Sequence, residues 1–234
     1  MSEALGSQLS DQRIKKAVFG VSANHADNLM GGGLTSANLD IHVADVDLSG
    51  ASRELATDQS IVGPHRDGGF GKATFDLRRS QSGAHKYHFV GSLRGQFSNK
   101  NLVSAEKLQL GGPFGVRAYP VGEASGDDGA LINLEAHYAL GYDSRVGNMQ
   151  LVAFYDWGWI RQNHDSSNLV METPNSYNLK GFGFGLNMGK PEQVDFNLAW
   201  ARRIGNNPDA NAQGEDADGS RRLGRIWASL RLFF

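Results

Sequence analysis

The chain has 234 residues, a formal net charge of −2 and no cysteine. Nucleic-acid binding requires a basic surface, which this charge balance does not provide, so we expect no nucleic-acid partner. Disulfides and thiolate metal sites are excluded by the absence of cysteine. No run of about 18 apolar residues occurs, which excludes a transmembrane helix.

Apolar and polar residues alternate along most of the chain, and this alternation predicts β-strands with two different faces. In Tyr87–Phe97, for example, an apolar row alternates with His88, Ser92, Arg94 and Gln96. No segment has the 3.6-residue period of a helix. We predict about nine strands, each near the ~10 residues that a tilted membrane strand needs. They begin near Lys16, Leu34, Gly71, Lys86, Ala130, Met149, Tyr177, Val194 and Leu223.

The connections between these strands alternate in length. The short ones lie near Met30–Gly33, Gln81–Ala84, Gly141–Gly147 and Gly189–Gln193. The long polar ones are Asp47–Gly69, Ser98–Gly129, Arg161–Ser176 and Gly205–Arg221. Short turns at one end and long loops at the other are typical of an outer-membrane barrel, so the sequence predicts an all-β, antiparallel transmembrane β-barrel.

A soluble β-sandwich or a lipocalin-like barrel would also alternate. Two features favour the membrane barrel. Charged residues occur on the polar face of nearly every strand, and aromatic residues cluster at strand ends, as in a membrane-interface girdle. The aromatic residues at strand ends are Tyr87, Phe97, Tyr155, Trp157, Trp159 and Trp200.

The connection Ser104–Gly129 is glycine-rich, contains proline and is too long for a plain hairpin. Its apolar residues would be costly to expose to water together, so we expect the loop to fold into the barrel and bury them. They are Phe114, Val116, Tyr119 and Val121. Arg117 lies among them, and a buried arginine needs an anionic partner.

The strand Met149–Ile160 supplies a candidate partner for this arginine. Alternation places Asp156 on the inward face, and the neighbouring inward residue Gly158 leaves room for a close-packed loop. The sequence therefore predicts an ion pair between Arg117 and Asp156, with bidentate geometry.

The sequence contains no convincing metal site or phosphate-binding loop. The seven histidines lack metal-ligand spacing, and the acidic residues of the Gly205–Ser220 loop lack the calcium-loop pattern. Gly181–Gly185 is no phosphate loop because no helix follows; glycine alternates there with outward Phe182 and Phe184, which suits a bent strand. We expect no metal, no cofactor and no enzymatic activity.

The last strand has an apolar residue at every second position up to the carboxyl terminus. In a soluble protein this row would form an aggregation-prone edge. It resembles instead the signal by which the assembly machinery recognises outer-membrane barrels. The row consists of Ile226, Ala228, Leu230, Leu232 and Phe234.

The stretch LGGPFGVRAYPVGEASGDDG, residues 110–129, resembles the signature of two-partner secretion transporters (the TpsB family, of the ShlB/FhaC/HecB haemolysin secretion and activation type). The wider superfamily carries a VRG(F/Y) tetrad at the tip of a loop that folds into the barrel. It also carries an F-x-D-x-G strand motif whose aspartate pairs with the loop arginine. The tetrad is matched by Val116, Arg117, Ala118 and Tyr119, and the strand motif by Phe154, Asp156 and Gly158.

Ala118 departs from the superfamily glycine. Alanine is a common substitution among the secretion transporters, so Ala118 makes the chain resemble these transporters more than the barrel insertases. The alternatives left open are an insertase relative and a barrel that anchors a fused secreted enzyme.

The resemblance implies that residues 1–234 are the C-terminal part of a sixteen-stranded barrel, with an inturned loop at about 110–129. It implies a transporter in the outer membrane of a Gram-negative bacterium that secretes and activates a large haemolysin- or adhesin-like passenger. The expected partners are that passenger, outer-membrane lipid and the barrel assembly machinery. A signal peptide is expected to lie outside this chain, because Met1–Arg13 lacks an apolar segment. The plug helix and the passenger-binding POTRA domains of the family are also expected outside it, because the segments of this chain resemble the last nine strands of the barrel. About nine strands cannot close such a barrel, so we expect an open curved sheet.

Overall fold

A computed structural model of the chain describes residues 2–4, 7–143 and 147–233. It consists almost entirely of β-strands. In chain order these are β1 (Ser2–Ala4), β2 (Ser7–Ser10), β3 (Arg13–Asp27), β4 (Gly33–Asp47), β5 (Gly68–Ser82), β6 (Tyr87–Ser98), β7 (Leu108–Gln109), β8 (Ser125–Gly126), β9 (Asp128–Asp143), β10 (Gly147–Arg161), β11 (Ser176–Lys190), β12 (Val194–Arg203) and β13 (Gly224–Leu232).

Nine of these strands form one antiparallel sheet in the order β3–β4–β5–β6–β9–β10–β11–β12–β13. Each strand pairs with its neighbour in the chain, and β7 and β8 form a separate two-stranded ladder within the connection from β6 to β9. Among the described residues, β3 and β13 have no pairing partner on their outer sides. The predicted all-β, antiparallel, incomplete barrel of about nine strands is therefore confirmed.

The sheet has an apolar outer face and a largely polar inner face. Across the outer face, Leu134 pairs with Tyr155, which pairs with Phe182 on the next strand. The outer side chains are strongly exposed within the chain itself, for example Phe19 at 68% and Phe184 at 59%. So large an exposed apolar surface is stable against lipid and costly in water. The apolar residues of the alternating strands thus face outward, as expected for a membrane barrel.

The connections also alternate in length as predicted, although the turn predicted at Gly141–Gly147 lies partly outside the described residues. The first long connection contains a helix, α1 (Ser52–Asp58), that the sequence did not predict. Seven residues are too few to show helical periodicity. Leu55 of α1 packs on a buried apolar cluster that includes Leu48, Leu102 and Val103. The connection is therefore ordered by a small core that it shares with β4, β5 and the connection that follows β6.

Two 3₁₀ turns, Leu29–Gly31 and Ser104–Glu106, complete the regular structure. Among the described residues, no helix combines the length and apolar character needed to cross a membrane.

Candidate functional site

The loop between β7 and β8, residues 110–124, folds back on itself and lies on the inner face of the sheet. Its backbone closes several local hydrogen bonds, among them Gly112 N to Tyr119 O at 3.1 Å, Val116 N to Leu110 O at 2.7 Å and Tyr119 N to Val116 O at 3.0 Å. Gly112 has φ +103°, a conformation that an L side chain rarely adopts. The loop is thus a compact hairpin-like unit rather than an extended excursion.

Three residues of the loop tetrad are fully buried against strands β9, β10, β11 and β12. Val116, Ala118 and Tyr119 share one apolar cluster with Leu131 and Phe154. Burial raises the pKa of the Tyr119 hydroxyl to about 12, so this side chain stays neutral. The core formed in this way fixes the loop on the inner face.

The expected burial of all four apolar loop residues is wrong for Phe114 and Val121, which are 84% and 63% exposed. Phe114 lies at the tip of the loop and lines two inner-face cavities of about 480 and 290 Å³. The four apolar residues do not form one patch, because the hairpin fold of the loop turns Phe114 and Val121 away from the sheet.

Arg117 and Asp156 lie together, with the bidentate geometry expected from the sequence. Arg117 Nη2 lies 2.7 Å from Asp156 Oδ1 and Nε lies 2.9 Å from Oδ2. The backbone N–H of Arg117 also donates to Oδ2 at 3.0 Å, and Asn133 Nδ2 donates to Oδ1 at 2.8 Å. The fully buried Asp156 carboxylate therefore accepts four hydrogen bonds, which offset the cost of removing its charge from water.

Two further partners of Arg117 were not found from the sequence. Glu135 of β9 accepts from Nη1 at 2.6 Å, and the guanidinium carbon lies 3.5 Å from the centre of the Phe154 ring, a cation–π contact. Glu135 in turn contacts His137 Nε2 at 2.8 Å. Glu135 and Phe154 are direct neighbours on the inner face, because the strand register pairs them with each other.

The backbone carbonyls at the tip of the loop are held by side chains from three different strands. Asn133 Nδ2 of β9 donates to Gly115 O at 2.9 Å, and Trp227 Nε1 of β13 donates to Arg117 O at 2.7 Å. Arg94 of β6 donates to the carbonyl of Phe114. These contacts fix the backbone of the loop in addition to the Arg117 side chain.

Glycines on the inner face allow this close approach. A Cβ at Gly158 would lie 2.8 Å from Leu110 Cδ1, and one at Gly181 would lie 2.7 Å from Ala118 Cβ. At Gly183 a Cβ would collide with the Phe154 ring. Phe182 and Phe184 do face outward as expected. Of the glycines that alternate with them, Gly181 meets the loop directly, whereas Gly183 makes room for the Phe154 ring.

Buried carboxylates secure the base of the loop. Glu123 accepts from Asn207 Nδ2 at 2.9 Å and from Ala217 N at 2.8 Å. Asp127 accepts from the backbone of Leu102 and His164 at 3.1 and 2.8 Å. Burial raises the pKa of both carboxyls, and the hydrogen bonds oppose this shift only in part.

The acidic loop between β12 and β13 is packed and paired. Asp216 is almost fully buried and lies 2.8 Å from Arg203 Nη1 and 3.1 Å from Arg225 Nη2. Asp218 lies 2.7 Å from Arg225 Nη1, and this ion pair lowers its pKa. In the part of the chain that the structure describes, no cluster of three or more His, Asp or Glu side chains is arranged to hold a metal ion.

The row predicted on the last strand lies on the outer face. Its strongly exposed members Ile226, Leu230 and Leu232 pair with Trp200, Phe196 and Val194 of β12, and Ala228 pairs with Leu198. Phe234 lies outside the described residues.

A two-faced antiparallel sheet with a loop clamped onto its polar face defines part of an outer-membrane β-barrel. The chain belongs to the haemolysin secretion/activation protein family ShlB/FhaC/HecB, whose model matches residues 3–188.

The chain also resembles several individual proteins. The chain is 35% identical over 124 residues to the heme/hemopexin transporter protein HuxB of Haemophilus influenzae strain 86-028NP; the match covers 53% of this chain and 22% of HuxB. The HuxB of strain ATCC 51907 is 34% identical over 122 residues. CdiB from Escherichia coli shares the fold, with a TM-score of 0.63 and 21% identity over 92% of this chain and 36% of CdiB. The chain thus spans about a fifth of the length of the curated relatives that it matches.

Proposed function

We propose that this chain forms the C-terminal part of an outer-membrane transporter that secretes and activates a large passenger protein by two-partner secretion. Membership of the haemolysin secretion/activation family supports this function. The observation that carries it is the docking of loop 110–124 on the inner face through the Arg117–Asp156 ion pair. In a closed barrel that face lines the lumen.

The inner face suits the passage of an unfolded polypeptide. It is polar on most strands and carries charges of both signs, for example Asp76 and Arg78 on β5 and Arg94 on β6. A mixed polar wall offers a passing chain many weak contacts and no single tight one. Transport would need no ATP and no cofactor, since folding of the passenger outside the cell would drive it. The docked loop would hold the barrel in its transport-competent state.

Other parts of the transporter complete the proposal. Passenger recognition would belong to POTRA domains outside this chain, and the outer face of the sheet would contact outer-membrane lipid. The outward row of β13 would be the surface that the barrel assembly machinery recognises. Replacing Leu230 and Leu232 with Ser should then reduce the amount of barrel in the membrane, and an unchanged amount would exclude this role.

Secretion by the complete transporter tests the proposed function. Arg117→Ala and Asp156→Ala should each abolish appearance of the passenger in the medium while the transporter stays in the outer membrane. Arg79→Ala is the matched control, because Arg79 also forms a bidentate ion pair, with Asp27, and its hydrogen bonds go to β3, β4 and β5 and not to the loop. Normal secretion by either site variant would refute the functional role of the pair, and an equal loss in Arg79→Ala would show that the effect is not specific to it.

A further inference from the structure

The last strand, β13, has only one neighbouring strand among the described residues. Its ladder hydrogen bonds are formed with β12 alone. Besides these backbone hydrogen bonds, side-chain contacts of its inner face hold the strand to the rest of the molecule. Two inner-face residues of β13, Arg225 and Trp227, both make such contacts toward the inturned loop.

Trp227 provides the first tie. Its indole Nε1 donates to the carbonyl oxygen of Arg117 at 2.7 Å. The side chain and the N–H of the same Arg117 are bound by Asp156 of β10. A single loop residue is therefore joined to β10 on one side and to β13 on the other, although β11 and β12 lie between those strands in the sheet.

Arg225 provides the second tie through a chain of buried polar groups. Its Nη2 lies 3.1 Å from Asp216 Oδ2, and Asp216 Oδ1 accepts from Asn207 Nδ2 at 3.0 Å. The same amide group donates to Glu123 Oε1 at 2.9 Å. Glu123 lies at the base of the inturned loop, six positions after Arg117. Strand β13 is thus linked by hydrogen bonds to the tip of the loop through Trp227 and to its base through Arg225.

We propose that Trp227 is a positioning residue that couples the docking of the inturned loop to the position of the last strand. This inference deepens the proposed function and rests on it for its consequence in transport. Because Arg117 belongs to both contacts, release of the ion pair with Asp156 weakens the hold on β13, and release of Trp227 weakens the hold on the loop. Such coupling is reciprocal by thermodynamic necessity.

A buried reporter in the loop tests the first direction. Val116 is fully buried, and its Cγ2 lies near Gly158 of β10, so a cysteine there is shielded while the loop is docked. This chain has no cysteine, so Val116→Cys introduces one labelling site within it, and the label is quantified on the peptide that contains residue 116. The probe is a polar maleimide added to the complete protein in outer-membrane vesicles. Trp227→Phe keeps an aromatic ring but removes the N–H donor, and we expect labelling about fivefold faster, the factor for one hydrogen bond of ~1 kcal/mol.

Trp200→Phe is the matched control. It makes the same chemical change on the adjacent strand, but Trp200 lies on the outer face, opposite Ile226, and does not touch the loop. Labelling should stay at the rate of the reporter alone. Equal rates in the Trp227 and Trp200 variants would overturn the coupling, whatever the secretion assay shows. Normal secretion by Arg117→Ala would instead refute the proposed function and leave the measured coupling intact.

Fluorescence of Trp227 tests the reverse direction and does not depend on a chemical label. The chain has four tryptophans, so changing Trp157, Trp159 and Trp200 to Phe leaves Trp227 alone. Adding Asp156→Asn should move its emission to longer wavelength, because the indole leaves the loop and meets water. Adding Asp27→Asn, at a distant ion pair, should not. An unchanged spectrum in the Asp156 variant would contradict the proposal.

Discussion

Ala118 of the inturned loop packs directly against Gly181 of β11, with 2.7 Å between Ala118 Cβ and the position that a Cβ on residue 181 would occupy. The loop can carry alanine where the superfamily has glycine because its partner on the strand has no side chain. There is therefore room for only one methyl group between residues 118 and 181.

This shared space gives a compensation test. Gly181→Ala should destabilise the docked loop by about 1–3 kcal/mol, the usual range for overpacking. Adding Ala118→Gly should restore most of that loss, because the second methyl group is removed. Unfolding in urea after detergent extraction measures both effects. Gly91→Ala is the control, since a Cβ there finds its nearest neighbour at 3.6 Å. Failure of the double variant to recover would show that the contact does not limit docking.

The two carboxylates around Arg117 should differ in importance. Asp156→Asn should cost about 3–5 kcal/mol, the range for breaking a buried ion pair, because Asp156 accepts four hydrogen bonds and Glu135 alone then remains as a carboxylate partner of Arg117. Glu135→Gln should cost about 1–3 kcal/mol, since Glu135 takes one hydrogen bond from the arginine and keeps an oxygen to accept it. Urea unfolding ranks the pair, and a larger loss in the Glu135 variant would contradict the assignment of Asp156 as the main partner.

Glu123 should give the stability of the protein a pH dependence. Burial, and then the nearby charges of Asp216 and Asp209, raise its pKa in the folded state. A raised pKa means that the folded state takes up the proton more readily, so the contribution of Glu123 is favourable at low pH and is lost as pH rises through the folded pKa. Glu123→Gln removes this titration. We expect the melting temperature of the variant, relative to that of the native protein, to increase as the pH is raised from 4 to 8. A difference that does not change with pH would exclude a raised pKa for Glu123.

Neighbouring residues of β12 test which face meets lipid. Leu198 lies on the outer face and Asn197 on the inner face. Leu198→Arg should destabilise the inserted protein by about 2–4 kcal/mol, as expected for a cation facing the middle of the bilayer. Asn197→Arg places the same side chain on the polar face, near Asp195, and should cost far less. Comparable losses for the two substitutions in lipid vesicles would contradict the direction of the sheet.

The strands and their two faces could be predicted because alternation is a local property of the sequence. The proximity of Arg117 and Asp156 was also accessible, since a loop that buries one arginine must meet a carboxylate, and Asp156 was a suitable inward candidate. The contacts from Glu135 and Trp227 were not accessible. Both depend on which residues of separate strands stand side by side, and alternation contains no information on register.

The exposed positions of Phe114 and Val121 show a second limit. Their apolar character indicated burial, but the turn of the loop around Gly112 decides which side chains face the sheet. The sequence also did not reveal that the carboxylates of Glu123, Asp127 and Asp216 are buried. A polar loop sequence does not distinguish residues that bind backbone N–H groups from residues that face water.

The strands are longer than the apolar band of a bilayer requires. Interior strands such as β10 and β11 have 15 residues and β9 has 16. At about 3.3 Å per residue and a tilt of about 40°, 15 residues rise about 38 Å along the membrane normal, against an apolar band of about 25 Å. The surplus of about 13 Å lies within the headgroup layers, which bring the full bilayer to about 40–45 Å. A polypeptide in the lumen would therefore be separated by protein from the lipid headgroups as well as from the acyl chains.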